Sequence, residues 1–179
     1  ALNAAAALEA ARLAGADEAT AAAALAGFRG AGRRFELLGT TAAGATVYDD
    51  YAHHPTEVAA TLAAARTLAP GRLVVVFQPH LYSRTRALAR EFGAALAAAD
   101  LVVVLGIYEA RERAEDFPGV SGRLVAAAAA DAAGGRPVAW LPDRAEAERF
   151  LRATLRAGDL VLAMGAGDVD ALGRRLVEG

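Results

Sequence analysis

Two runs in this chain, Leu73-Val74-Val75-Val76-Phe77 and Leu101-Val102-Val103-Val104-Leu105, are apolar at every position. A strand with one wet face alternates apolar and polar residues, so a strand without that alternation is buried on both faces. A mostly parallel sheet with helices on either side buries strands in this way. Further strands are expected at residues 137–141 and 160–164, and helices at 56–68, 84–97, 122–133, 144–155 and 169–177. Strand and helix then alternate with short connections, which is the pattern of a doubly wound α/β fold. Ahead of them, residues 33–39 and 47–50 read as two short strands joined by a small-residue turn around Gly44, giving a short antiparallel hairpin at the start of the sheet. Ser83, Ser121, Asp143 and Asp168 stand where helix N-caps are wanted, and Asp143 with Glu146 has capping-box spacing.

Residues 1–26 read differently, as two alanine-rich helices broken near Gly15-Ala16-Asp17, with Asp17 capping the second and Gly27 and Gly30 ending it. Alanine has the best helix propensity but little apolar surface, so the 55% hydrophobic content signals many helices with slim packing faces. The helical pattern is already under way at Ala1, which reads as a chain cut from a longer one. At 179 residues there is still enough chain for one full domain with a real core.

Composition narrows function by exclusion. No run of about 18 large apolar residues exists, so no membrane span is expected. Ala1-Leu2-Asn3-Ala4 lacks the basic start of a signal peptide, and cysteine is absent, which fits a reducing compartment. Net charge is −2 with the arginines dispersed, so there is no electrostatic footprint for nucleic acid. All 19 basic residues are arginine. A chain without lysine cannot supply a P-loop lysine, a Schiff-base lysine or a lysine general base.

In a doubly wound sheet, ligands bind beyond the carboxyl ends of the strands. The polar segments after Asp50, Phe77, Leu105 and Met164 all fall there. The first, Asp49-Asp50-Tyr51-Ala52-His53-His54-Pro55-Thr56-Glu57, runs off a strand end into a helix begun by proline, and helix N-termini favour anions. Adjacent histidines point apart, so at most one of His53 and His54 faces a site; alternatively Asp50 or His54 simply caps the helix. The second, Phe77-Gln78-Pro79-His80-Leu81-Tyr82-Ser83-Arg84-Thr85, is dense in hydrogen-bonding groups, and Arg84 near a helix start suits a carboxylate held by two parallel N–H···O bonds. Gly165-Ala166-Gly167-Asp168 allows close approach of a backbone or a phosphate, and equally serves a tight strand-to-helix turn. A metal site from His53, His54 and His80 is not expected, because adjacent histidines rarely reach one ion.

These segments, together with Gly32-Arg33-Arg34-Phe35, resemble the Mur ligase family along the whole chain, in the order and spacing of its alanine-adding branch. The peptide-recycling branch has a similar histidine segment but differs over residues 77–85. The resemblance implies that residues 1–30 are the terminal helices of a central ATPase domain and residues 31–179 the family's Rossmann-like C-terminal domain. It further implies a cytoplasmic, ATP-dependent ligase joining L-alanine to UDP-N-acetylmuramate through an acyl phosphate in peptidoglycan synthesis. Tyr51, His53, His80 and Arg84 would then line the substrate side, and Asn3, Arg34 and Asp50 would contact ATP. The P-loop, the Mg2+ ligands and the sugar-nucleotide domain would lie in other domains, so this stretch alone is expected to be inactive. One departure stands out: many relatives carry arginine where this chain has Leu81, which shifts the role of substrate clamp to Arg84. Two other readings compete. A stand-alone dinucleotide-binding module would need a Gly-x-Gly-x-x-Gly turn after its first strand, which is missing. A pure scaffold would have no use for His, Tyr, Arg and Asp gathered at one sheet edge.

Overall fold

The computed structural model describes residues 2–28 and 31–178, arranged as two compact units, Ala1–Gly32 and Arg33–Gly179. The first unit is a helical hairpin of α1 (Leu2–Leu13) and α2 (Glu18–Ala26). Asp17 caps α2 by accepting from the Thr20 N–H at 2.9 Å, and Gly27 closes it. The expected role of Gly30 lies outside the described residues.

The second unit is built on a six-stranded sheet. Its elements in chain order are β1 (Glu36–Thr40), β2 (Thr46–Asp50), α3 (Pro55–Arg66), β3 (Arg72–Phe77), α4 (Tyr82–Leu96), β4 (Leu101–Val104), α5 (Arg123–Ala132), β5 (Val138–Trp140), α6 (Arg144–Thr154), β6 (Asp159–Met164) and α7 (Val169–Val177). A short 3-10 turn at Ala114–Asp116 interrupts the long connection from β4 to α5. The strand order is β1-β2-β6-β3-β4-β5, with β1 antiparallel to β2 and the other five parallel. This is the doubly wound, mostly parallel sheet with an opening hairpin that the apolar runs predict.

Period-two geometry explains how a uniformly apolar strand serves two cores. Leu73, Val75 and Phe77 of β3, with Leu160, Leu162 and Met164 of β6, pack under α3, α4 and α5 against Leu62, Phe92 and Val125. Val74 and Val76, with Val161 and Ala163, pack on the other face against Leu151 of α6 and Leu172 of α7. The central strands have no wet face because each side belongs to a different core. At the amino ends of β3 and β6, buried Asp159 is held by Arg72 at 2.6 Å. Among the described residues no helix is long and apolar enough to cross a membrane.

Helix starts depart from the sequence reading in a patterned way. Asp143 caps α6 through the Glu146 N–H, as expected. Ser83 does not cap α4: the helix starts two residues earlier than expected, at Tyr82, and the cap position is Leu81, at φ 68°, ψ 134°. Gly122, not Ser121, precedes α5, and Asp168 precedes α7 without a side-chain cap. In α3 the cap is His54, whose Nδ1 accepts from the Thr56 N–H while Glu57 answers the backbone of His54, a reciprocal capping box with Pro55 in the first turn.

Candidate active site at the carboxyl edge of the sheet

Register puts Asp50, Met164, Phe77 and Val104 side by side at the carboxyl ends of β2, β6, β3 and β4. After β3 the chain leaves to the face of α4, and after β6 to the opposite face, that of α7. Adjacent strands whose connections diverge open a crevice between them, the topological switch point at which such folds bind ligands. The three loops singled out in the sequence meet there.

Four rings form a row along this edge. The Tyr51 and His53 ring centres are 5.2 Å apart, His53 and His80 5.9 Å, and His80 and Tyr108 5.8 Å, the last pair stacked. His53 donates from Nδ1 to the Tyr51 carbonyl at 2.9 Å, which leaves Nε2 as an acceptor in the neutral ring. Arg84 reaches the same place from the first turns of α4. Its Nη1 donates to the His53 carbonyl at 3.4 Å and lies 3.5 Å from His80 Nδ1, both at the outer limit of hydrogen bonding. Among the described residues Arg84 has no carboxylate partner, so a cation with unfilled donors sits beside two imidazoles. Burial, then the nearby Arg84, His53 and Arg111, hold His80 below the ordinary histidine pKa, against a smaller opposing pull from Glu112. Tyr51, His53, His80 and Arg84 are therefore brought together. His54, turned into its cap, is not.

The loop after β4, which the sequence places at this edge without naming a residue in it, fixes the far end of the row. Tyr108 accepts from the Leu81 N–H and donates to the Pro79 carbonyl, which clamps its ring over His80. Two side chains lash this loop to the start of α4. Tyr82 donates to Glu109 at 2.5 Å, and Glu112 accepts from both the backbone and the hydroxyl of Ser83. Burial and Glu109 push the Tyr82 phenol up to about 12. Leu81 itself is 4% exposed, so the side chain at this position packs inward rather than beside the open site.

The three residues expected on the nucleotide side are divided. Arg34 is exposed, with its guanidinium over the Tyr51 ring 5.5 Å from the centre. Asp50 is 6% exposed and spends both oxygens internally: on Phe35 N–H at 2.8 Å, Ala52 N–H at 2.9 Å and the Thr61 hydroxyl at 3.2 Å. These bonds anchor the strand end beneath the row. Asn3 lies at an exposed position of α1 in the first unit. Arg33, for which the sequence alone suggests no role, is the better-connected of the pair. It binds fully buried Asp49 at 2.8 Å and the carbonyls of Gly165 and Gly167 at 2.8 and 2.9 Å.

The Gly165–Asp168 turn is tight because neighbours press on it. A Cβ on Gly165 would come 2.6 Å from the Gln78 carbonyl, and one on Gly167 would collide with the Gln78 amide and the Tyr108 ring. Beside it a cleft of about 410 Å³ is lined by Gln78, Tyr108, Arg144 and Asp168, and the buried Gln78 Oε1 has no partner there. Among the described residues no three His, Asp or Glu side chains gather as a metal site would require.

Comparison with known proteins gives this edge a family. Residues 33–167 match the family described as Mur ligase, glutamate ligase domain. The chain is 54% identical over 181 residues to a UDP-N-acetylmuramate–L-alanine ligase of a Mycobacterium species (strain JLS), covering 99% of this chain and 36% of the relative. To the enzyme of that name from Kineococcus radiotolerans it is 60% identical over 173 residues, again covering 36% of the relative. The crystal structure of a UDP-N-acetylmuramate–alanine ligase from Thermotoga maritima superposes with a TM-score of 0.78 at 30% identity, covering 99% of this chain and 36% of that one. A murein peptide ligase from Psychrobacter arcticus follows at TM-score 0.68 and 25% identity, covering 94% and 34%. The chain thus spans about a third of the length of these relatives. With the family match over most of the sequence and the same fold in the solved structures, the chain belongs to the Mur ligase family.

Proposed function

We infer that this chain is the C-terminal, amino-acid-binding portion of an ATP-dependent ligase that joins L-alanine to UDP-N-acetylmuramate in the cytoplasm, for peptidoglycan synthesis. The observation that carries the reading is the convergence of His53, His80 and an Arg84 without a carboxylate partner on one point of the sheet edge. Arg84 has the geometry to take the carboxylate of L-alanine, with the donor fork of a guanidinium. His80 stays neutral beside it, since its pKa is depressed. Its Nδ1 faces the arginine, so Nε2 carries the proton and can donate. His53 offers the Nε2 lone pair to the amino group, and the Tyr51 ring gives the methyl group an apolar wall.

In the reaction, the muramyl carboxylate oxygen attacks the γ-phosphorus of ATP and ADP leaves. The amine of L-alanine then adds to the acyl carbon, the tetrahedral intermediate expels phosphate, and the nitrogen loses a proton. Holding the amino acid by its carboxylate keeps the amine close to the acyl carbon, so that orientation is established before the chemical step. Exposed Arg34 serves the phosphate side of the nucleotide, and Asn3 of the first unit, residues 1–30 of a central domain, serves the adenine. Asp50 is better suited to anchoring the Tyr51 loop than to a direct ribose contact. Mg2+ and the P-loop lysine would be supplied by the rest of the protein.

The peptide-recycling alternative is less favoured, because the alanine ligases match at higher identity and with a higher TM-score. Phosphate release by the full-length enzyme, assayed with UDP-N-acetylmuramate, ATP and one acceptor at a time, separates the two. L-Alanine is expected to drive release, and a tripeptide acceptor is not. Release driven by the tripeptide in preference to L-alanine would overturn the assignment.

A further inference from the structure

We propose that Arg33 is a positioning residue for the amino-acid side of this site, acting through the Tyr51 ring. The inference rests on the reading above that Tyr51 lines the substrate.

Both ends of Arg33 are fixed. Its backbone is in the left-handed region at φ 57°, with its N–H on Glu36 at 2.7 Å and its carbonyl accepting from the Tyr51 N–H at 2.7 Å. Its guanidinium distributes donors in three directions. Nε binds Asp49 at 2.8 Å, Nη1 the Gly167 carbonyl at 2.9 Å, and Nη2 the Gly165 carbonyl at 2.8 Å. The plane so fixed lies over the Tyr51 ring, 5.2 Å from its centre. One side chain thereby ties the end of β2, the turn after β6 and the first ring of the row.

The contrast with the adjacent arginine defines the role. Arg34 lies over the same ring but is exposed and, among the described residues, forms no ion pair, as a ligand-facing cation would. All three guanidinium nitrogens of Arg33, by contrast, donate to protein acceptors. Its carboxylate partner, Asp49, is fully buried, so the arginine is held from the protein side. A lysine would supply the charge without the planar fork that reaches three acceptors and lies flat on a ring.

A double-mutant cycle in the full-length enzyme tests this, reading kcat and KM for L-alanine well below the melting temperature of each variant. Tyr51→Ala by itself tests the underlying reading: an unchanged KM for L-alanine would remove Tyr51 from the substrate side, whatever Arg33 does. Given an effect of Tyr51→Ala, Arg33→Met is expected to raise KM for L-alanine about tenfold in the wild-type background, with a smaller change in kcat, and less than about twofold once Tyr51 is alanine. A purely structural role would lower activity by the same factor in both backgrounds, and that additivity would overturn the proposal. If Arg33→Met does not fold, Arg33→Lys carries the same cycle. Full recovery of the wild-type KM by lysine would also count against a role that depends on the fork.

Discussion

His80 shows how much of the site's chemistry is set by its immediate neighbours. Burial and the Arg84 cation both penalise a second positive charge, so the ring is neutral at pH 7 and its proton sits opposite the arginine. The sign of the pH dependence follows. A histidine whose pKa is lower folded than unfolded binds its proton more readily in the unfolded chain. Its contribution to stability is therefore complete above the ordinary value of 6.5 and is lost as pH falls through the depressed folded value. An NMR titration of the histidines should place the His80 midpoint below 6.5, and Arg84→Met should move it up. A midpoint that stays put in the variant would mean that Arg84 does not act on His80 as the distances suggest. At this scale the sequence was informative where a residue acts within its own segment. The two histidine-bearing loops, the split between His53 and His54, and Arg84 were all legible. What was not legible depends on long-range contacts. Arg33 matters because of Gly165 and Gly167, more than 130 positions away, and Tyr108 because Pro79 and Leu81 pair with its backbone.

Among the elements, the strands were read well because burial on two faces leaves an unmistakable apolar run. The helix starts were read less well, for a specific reason. Ser83 has the right side chain for a cap, but Glu112 from the loop after β4 reaches the start of α4 and takes its N–H and hydroxyl. With that carboxylate in place the helix begins two residues earlier, and Leu81 is held in a backbone region costly to a branched side chain, roughly 1–3 kcal/mol. Thr85 hydrogen-bonds back to the Leu81 carbonyl from its own N–H and hydroxyl and helps to offset that strain. The turn after β6 is the element with least freedom to change. Gly165 sits at φ 147° with the Gln78 carbonyl 2.6 Å from where a Cβ would be. Gly165→Ala is therefore expected to destabilise the domain by about 1–3 kcal/mol, seen as a lower urea midpoint with an unchanged slope. A midpoint equal to wild type would show that the turn relaxes freely and that its tightness is not structural.

For the whole molecule, five parallel strands and a leading hairpin give one edge where three loops of different sequence origin meet, and the family match covers the domain that carries them. The fold was legible because alternating strand and helix patterns with short connections leave few topologies. The strand order, with β6 inserted between β2 and β3, was not, since nothing local to residues 159–164 records their neighbours. That insertion creates the crevice and puts the glycine turn beside the histidine loops. At this edge Arg84 is proposed to hold the carboxylate of L-alanine. The most direct test is kcat/KM for L-alanine in the full-length enzyme, wild type against Arg84→Ala, with ATP and UDP-N-acetylmuramate saturating. Loss of a charged partner of a bound carboxylate is predicted to lower kcat/KM by roughly 30-fold or more, about 2 kcal/mol, while KM for ATP stays within about twofold. An unchanged kcat/KM for L-alanine would contradict it.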